Sequence, residues 1–167
     1  MIVDIDALIV ELIESGRLAT QDELSQIVAH VAQAPFASRP VRPPSWLREA
    51  LTRLGITMPA RMPASEAHLL KRIYYDQQWP VGTTTDQFVA DLRLAIRHPD
   101  ASVWTYEYFD EPCVGLLAPS HIRGTPGAKP YIFVVYSARY GMLTTGYQAT
   151  GPEMVFNEKH QRLTQHR

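Results

Sequence analysis

The sequence lacks the residues and motifs on which several broad classes of protein depend. Its 167 residues include one cysteine, Cys113, so no disulfide can form within the chain and no Cys/His spacing of a structural zinc site is present. No apolar run approaches the roughly 18 residues that a membrane-spanning helix needs. The first residues show neither the basic nor the apolar region of a secretory signal. These features predict a cytoplasmic protein with no membrane partner.

The common motifs of nucleotide, metal and acyl-transfer chemistry are missing as well. The chain contains no G-x-x-x-x-G-K-[ST], no G-x-G-x-x-G, no H-E-x-x-H and no G-x-S-x-G. Asp110 and Glu111 are adjacent acids, but they fall in a predicted turn between strands, where acids are common for local reasons. The sequence therefore predicts no cofactor and no metal site.

What is present is an ordinary globular composition with an uneven charge distribution. Hydrophobic residues make up 46% of the chain, which is enough for a real core in one domain. Residues 1–34 hold six acids and one base, whereas residues 35–167 hold 15 bases and 11 acids. A mildly basic body is compatible with an anionic ligand, and equally with unrelated solvated helix faces.

Residues 1–34 are predicted to form an acidic helical hairpin. Apolar residues recur at helical spacing as far as Ser15, where a glycine follows. A capping box, Thr20-x-x-Glu23, opens a second amphipathic helix that ends near Pro35. Such a hairpin must bury its apolar face against the rest of the chain or against a partner.

The remaining residues divide into three parts. Residues 35–64 contain clustered prolines and are interpreted as a linker with a short helix at Trp46–Leu54. Residues 65–150 show helical patterns followed by four strand-like segments, which predicts an α+β body with N-terminal helices before a roughly four-stranded antiparallel meander sheet. Residues 151–167 are interpreted as a polar, frayed tail in which Met154–Phe156 is able to add a short edge strand.

The last predicted strand carries hydroxyl groups where a buried strand would carry aliphatic side chains. Thr145 and Tyr147 are two residues apart, so both side chains point to the same face of the sheet. Two interpretations are open. The pair is either an ordinary solvent-facing ladder or the edge of a phosphate- or RNA-binding site.

The other candidate functional residues are basic. His68 shares a helix face with Lys71 and with Arg72, which follow it by three and four positions. Histidine suits general acid or base catalysis, and cations with hydroxyls suit the charge that develops on a phosphate. RNA cleavage fits these groups because the 2′-hydroxyl is an internal nucleophile and needs no metal. Each residue also has a simple structural explanation, as a surface histidine, a solvated helix face or half of an ion pair.

The order of these features resembles the barnase–EndoU–colicin–RelE group of metal-independent ribonucleases. Members place helices before an antiparallel sheet, and many end with a strand of the form g-x-x-T-x-Y. Here the corresponding stretch runs from Gly141 to Tyr147 and ends in Thr145-x-Tyr147. His68-x-x-Lys71 and the break at Trp79–Thr84 follow the same layout. The resemblance covers roughly residues 65–150. A second histidine of the kind that many members carry would be His98 or His121.

The resemblance implies an endoribonuclease of the type found in bacterial toxins and defence effectors, with RNA as its partner and a 2′,3′-cyclic phosphate as its product. The implied catalytic residues are His68 as general acid or base, Lys71 on the scissile phosphate, Thr145 on a phosphate oxygen, and Tyr147 stacked on a base or donating a hydrogen bond. The substrate-binding residues are Arg72, Arg93, Arg97, His121, Arg123 and Lys129. The acidic hairpin is then a module for targeting, for self-association or for binding a cognate inhibitor protein.

Two other functions fit the same sequence. One is a non-catalytic protein-interaction module that uses the hairpin, with the α+β body as its scaffold. The other is a small-ligand binding domain built on the loop 119–130, which contains three of the basic residues. The catalytic interpretation requires His68, Lys71 and Thr145 to lie within the reach of one phosphate, roughly 8 Å.

Overall fold

A five-stranded antiparallel sheet organises the C-terminal half of the computed structural model, which describes residues 3–167. The strands lie in the order β6-β5-β4-β3-β7. Their bounds are β3 (Ser102–Tyr108), β4 (Glu111–Pro119), β5 (Tyr131–Ser137), β6 (Met142–Ala149) and β7 (His160–Gln165). The predicted α+β fold, with N-terminal helices before an antiparallel meander, is confirmed, and β7 adds a fifth strand at one edge.

In the part of the chain that the structure describes, six helical segments precede β3, and two of them, the first and the last, pack directly on one face of the sheet. The six segments are α1 (Ile5–Ser15), α2 (Gln21–Gln33), α3 (Ser45–Arg53), α4 (Ala64–Leu70), a π-helical turn (Lys71–Tyr75) and α5 (Thr85–Arg97). The predicted capping box at Thr20 and Glu23 is present at the start of α2, and a second box at Thr84 and Gln87 starts α5. No helix within residues 3–167 is both long and apolar enough to cross a bilayer.

The segment 151–167 is more ordered than the predicted frayed tail. Met154 and Val155 belong to a short helix, α6 (Pro152–Val155), and not to an edge strand. The strand lies further on, where β7 pairs antiparallel with β3. Its side chains are mostly polar, so the sequence has no alternation that marks it. Backbone pairing with β3 stabilises it, together with a hydrogen bond of 2.7 Å between Thr105 Oγ1 and His166 Nε2.

The hairpin of α1 and α2 is part of the main hydrophobic core. Ile9, Leu12 and Ile27 are fully buried in the same cluster as the helix-facing residues of β4 and β5. Their apolar faces are therefore covered by the sheet and by α5, which favours a structural role for residues 3–34 over a separable accessory one.

A polar network fixes the hairpin to the sheet. Tyr136 on β5 donates its hydroxyl to Asp6 Oδ1 at 2.6 Å, and His30 Nε2 lies 2.9 Å from the same hydroxyl. Burial, with the adjacent Asp6 carboxylate, raises the pKa of Tyr136. The tyrosine therefore stays a neutral donor that connects both helices to the strand.

The predicted linker is folded. A short antiparallel pair, β1 (Pro40–Val41) with β2 (Met62–Pro63), brackets α3. Leu47 and Leu51 on α3 form a second apolar cluster that continues onto α4. The Arg48 guanidinium donates to the carbonyl oxygens of Met58 and Pro59, both at 2.9 Å, and ties the chain after α3 back to the helix.

Candidate functional site

The predicted basic helix lies against the edge strand β6 and changes its winding there. Its first turns form α4, and the π-helical turn follows, with the Asp76 amide donating to the Lys71 carbonyl at 2.9 Å. A π turn adds one residue to a helical turn, and such turns are common at functional sites. Arg72 in this turn reaches the edge strand, where its Nε donates to the Gly146 carbonyl at 2.8 Å.

His68 and Thr145 are in contact although 77 residues separate them in the sequence. Nδ1 of His68 lies 3.3 Å from Oγ1 of Thr145, and Nη2 of Arg72 donates to the same oxygen at 3.0 Å. A β-bulge in β6 sets this geometry, because Val135 pairs with Thr145 while Tyr136 pairs with Leu143. Two of the predicted catalytic residues are therefore together, on elements from opposite ends of the body.

Arg72 is a positioning residue in this arrangement. Its side chain is buried, with the residue 6% exposed, and Nη1 donates to Asp76 Oδ2 at 2.7 Å. The guanidinium also lies over the ring of Tyr147, 5.1 Å from the ring centre. Because its donors hold Thr145, Gly146 and Asp76, we assign it to orienting the site and not to direct binding of a phosphate.

His68 is electrically neutral at pH 7. Burial is the main cause, with the charges of Arg72 and Lys71 adding to it, and together they lower the pKa of His68 to about 4. The imidazole packs edge-on against Phe36, with ring centres 5.9 Å apart. A neutral imidazole keeps one ring nitrogen with a free lone pair, which is the form that a general base requires.

A cavity of about 390 Å³ opens on the face of the sheet opposite α1 and α5, and we call it the sheet cavity. Thr145 and Tyr147 line it beside buried aromatic rings. Burial raises the pKa values of Tyr147 and Tyr106, so both keep their hydroxyl protons. Burial also raises the pKa of Cys113 to about 12, which leaves a neutral, unreactive thiol. The lining includes Tyr106, Glu111, Cys113, Thr145, Tyr147 and His160.

A second cavity, of about 290 Å³, lies between α3 and α4, and we call it the helix cavity. His68 and Lys71 line it together with Arg42, Trp46 and Leu47. The Lys71 ammonium lies 5.4 Å from the centre of the Trp46 ring. Burial, helped by the charge of Arg72, lowers the pKa of Lys71, which makes the ammonium a better proton donor. His68 lines the helix cavity and Thr145 lines the sheet cavity, so the contact between them joins the linings of the two cavities.

Arg93 and Arg97 line neither the helix cavity nor the sheet cavity. Nη1 of Arg93 donates to the carbonyls of Ala32 and Ala34 at 2.6 and 2.8 Å, so it caps the C-terminal end of α2. Arg97 is exposed and lines a shallow cavity between α5 and α2. Arg93 therefore has a structural role.

The basic residues of the loop 119–130 form a separate group. His121 Nε2 lies 2.8 Å from Asp91 Oδ1, and the Trp79 indole donates to the other Asp91 oxygen at 3.0 Å. His121 and Arg123 line a cleft of about 540 Å³ beside the start of α5. The Lys129 amide donates to Gln148 Oε1 at 2.7 Å, which fixes the end of the loop. The loop is thus held to the body at several points and does not join the His68 site.

Several residues that line the cavities were not predicted as site residues, and His160 and Trp46 are two of them. His160 on β7 lines the sheet cavity, and its Nδ1 accepts a hydrogen bond from the Asn157 amide at 3.2 Å. Trp46 on α3 lines the helix cavity. Neither has a local signal, because His160 lies in a polar segment without alternation and Trp46 in a proline-rich one. The charge of residues 35–63, with five arginines and one acid, is a regional signal that would have indicated the surroundings of Trp46.

Comparisons of the chain with protein-family models, with curated proteins and with solved structures found no match. The site is therefore interpreted from its own geometry.

Proposed function

We propose that this protein is a metal-independent endoribonuclease that cleaves RNA through the 2′-hydroxyl. The observation that carries the proposal is the contact between His68, which lines the helix cavity, and Thr145, which lines the sheet cavity and accepts a hydrogen bond from Arg72. A base, a cation and a hydroxyl, the groups that suit phosphoryl transfer without a metal, are thereby close together beside the aromatic ring of Tyr147.

His68 is the proposed general base. When its Nδ1–H donates to Thr145, Nε2 is left with its lone pair, and the residue lines the helix cavity. The base takes the proton of the 2′-hydroxyl as that oxygen attacks phosphorus. Lys71 in the same cavity gives its proton to the 5′-oxygen as the phosphorus–oxygen bond breaks. The products are a 2′,3′-cyclic phosphate and a free 5′-hydroxyl.

Thr145 and Tyr147 are the proposed contacts on the side of the sheet cavity. An oxygen that accepts hydrogen bonds from both Arg72 and His68 has its own hydroxyl proton left for a phosphate oxygen. The charge of Arg72 makes that hydroxyl a stronger donor. Tyr147 offers a ring for base stacking and a neutral hydroxyl beside the phosphate.

The test is an RNA cleavage assay in EDTA with folded wild type and four variants. We expect His68→Ala and Lys71→Gln to lose about 10²–10⁴-fold in rate, as removal of a general base or acid does. Thr145→Val, which keeps the shape and loses the hydroxyl, is expected to lose activity as well. His121→Ala is the matched control, because that histidine lies in another cleft. Folded wild type that leaves single-stranded RNA intact would refute the proposal.

We further propose that the activity serves a bacterial toxin or defence effector in the cytoplasm, a role that rests on the resemblance and on the proposed chemistry. Expression of the wild type is expected to arrest growth of a bacterial host, and His68→Ala to relieve the arrest. Arrest that persists unchanged in His68→Ala, at equal protein levels, contradicts this role for the site.

A further inference from the structure

We propose that the basic segment 39–61, together with Lys71, is a binding surface for single-stranded RNA, with Trp46 as its base-stacking platform. The surface borders the helix cavity, so a bound strand is delivered to His68. The identity of the ligand as RNA rests on the proposed function. The binding itself does not require cleavage and can be measured separately.

The first observation is the charge of the segment. Residues 35–63 carry five arginines and one glutamate, whereas residues 64–167 carry ten bases and ten acids. The whole positive excess of residues 35–167 therefore lies in the segment 35–63. Arg48 is occupied by backbone carbonyls. The other four arginines are exposed, and among residues 3–167 none of them is in an ion pair: Arg39, Arg42, Arg53 and Arg61. Four cations without carboxylate partners complement a phosphate backbone.

The second observation is the exposure of one tryptophan. Trp46 is 45% exposed, whereas Trp79 and Trp104 are 2% and 5% exposed. Its ring meets the exposed ring of Tyr75 edge-on at 4.9 Å, and the Lys71 ammonium lies over it. Aromatic rings interleaved with cations are the arrangement by which proteins hold unpaired bases and the phosphates between them.

The third observation is the rigidity of the platform. The β1–β2 pair, the hydrogen bonds of Arg48 and the apolar cluster under α3 hold the segment in one shape. A preorganised surface loses little conformational entropy on binding. Stacking on Trp46 requires a base free of its complement, so the occupant is a single strand and not a duplex.

The fourth observation is the position of the platform beside the proposed catalytic groups. Trp46, Lys71 and His68 all line the helix cavity. A base stacked on Trp46 places the next phosphate of the strand at Lys71 and His68.

The test uses the full chain and a 2′-O-methyl RNA oligonucleotide, which has no nucleophile and cannot be cleaved. Because the other two tryptophans are buried, quenching of the intrinsic fluorescence reports on Trp46. We expect the oligonucleotide to quench the fluorescence of the wild type saturably. The affinity of Trp46→Leu, measured with a labelled oligonucleotide, is expected to be about tenfold weaker, since stacking on an aromatic ring contributes about 1–3 kcal/mol. Trp46 is at the surface, so its replacement leaves the fold intact, which a thermal melt confirms.

The salt dependence tests the arginines. Each of Arg42→Gln and Arg53→Gln is expected to lower the slope of log affinity against log salt by about 0.7, the value for one phosphate contact on a single strand. Arg162→Gln is the matched control, because Arg162 is an exposed arginine on β7, where it lies 3.6 Å from Glu107. An unchanged slope in both test variants overturns the assignment.

Three further outcomes also overturn the surface: no quenching at low salt, equal affinity in Trp46→Leu, and equally tight binding of poly-glutamate, which would indicate an acidic protein as the occupant. Failure of the proposed function looks different. A chain that binds the oligonucleotide through Trp46 and leaves natural RNA uncleaved keeps this surface and loses the nuclease. If the chain cleaves RNA and neither Trp46 nor the arginines contribute, the nuclease proposal stands and the proposed binding surface is refuted.

Discussion

Individual residues at the site owe their chemistry to burial more than to residue type. A histidine on an amphipathic helix is ordinarily charged or neutral according to a pKa near 6.5. His68 is instead neutral far below that value, because it is buried beside Arg72 and Lys71. Arg72, an always charged residue, is held almost wholly inside the protein and orients its neighbours. At the surface, a histidine would keep an ordinary pKa, and an arginine would not hold its neighbours in fixed positions.

The lowered pKa of His68 predicts a pH dependence of stability. The folded-state pKa of about 4 lies below the unfolded value of 6.5, so the unfolded chain binds the proton first and stability is lost as pH falls through that window. Between pH 7 and pH 4.5 we expect the wild type to lose about 2 kcal/mol more of its free energy of unfolding than His68→Gln does. Urea unfolding of both proteins at the two pH values measures this.

The comparison with His68→Gln removes the contribution of other groups. His160 and His166 also have lowered pKa values, mainly through burial, and they titrate alike in both proteins. Equal losses in wild type and variant would show that His68 is solvated and has an ordinary pKa. The cleavage rate adds a second readout, since a base with this pKa stays active down to about pH 5.

At the scale of elements, the site depends on how closely the edge strand β6 approaches the helices. Gly146 makes that approach possible on the side of α5. A Cβ at this position would lie 2.5 Å from Cδ2 of Leu92, a fully buried residue. The Gly146 carbonyl also accepts from Arg72. A glycine is therefore required between Thr145 and Tyr147 for packing, because α5 lies so close to the strand that a side-chain methyl group does not fit between them.

Gly146→Ala is expected to destabilise the protein by about 1–3 kcal/mol through overpacking, and to weaken the His68–Thr145 contact by moving the strand. Chemical denaturation measures the first effect. The matched control is the double variant Gly146→Ala/Leu92→Ala, in which the obstructing methyl groups are absent. We expect its loss of stability to be clearly smaller than the sum of the two single losses. Additive losses would mean that the methyl group fits without displacing the strand.

At the scale of the whole molecule, the chain forms one layer of helices on a sheet, with a small basic layer, α3 and its flanking strands, beside the site. The N-terminal hairpin closes the main core, and His166 near the other end of the chain accepts a hydrogen bond from the Ala19 amide in the hairpin turn at 3.0 Å. Residues 3–34 and the last strand are therefore coupled through tertiary packing.

Removal of residues 1–34 is expected to abolish the cooperative thermal transition, because it would expose the helix-facing side of the sheet. Differential scanning calorimetry of residues 35–167 against the full chain tests this. The control is the pair Leu12→Ala and Leu18→Ala. Buried Leu12 is expected to cost about 2–5 kcal/mol, whereas exposed Leu18 costs less than about 0.5 kcal/mol. A sharp two-state melt of the truncated chain would show that the hairpin is a separable module.

Local sequence patterns were sufficient to predict most of the secondary structure and to predict which of the site residues share a face of a helix or a strand. The capping box at Thr20 and the hydrophobic repeats depend on neighbours a few residues away, so they are legible in the sequence. The same holds for the shared helix face of His68 and Arg72, and for the common orientation of Thr145 and Tyr147. The polar strand β7 escaped prediction because its stability comes from pairing with β3 and not from its own side chains.

The chain's local physics specified which groups are available, and long-range packing specified which of them act together. No helical or strand period relates His68 to Thr145, because 77 residues separate them and only the packing of α4 on β6 brings them together. The neutrality of His68 requires burial by Phe36 and the charges beside it, and the exposure of Trp46 requires a folded proline-rich segment. Proximity, burial and exposure are properties of the assembled chain, since each depends on residues distant in sequence.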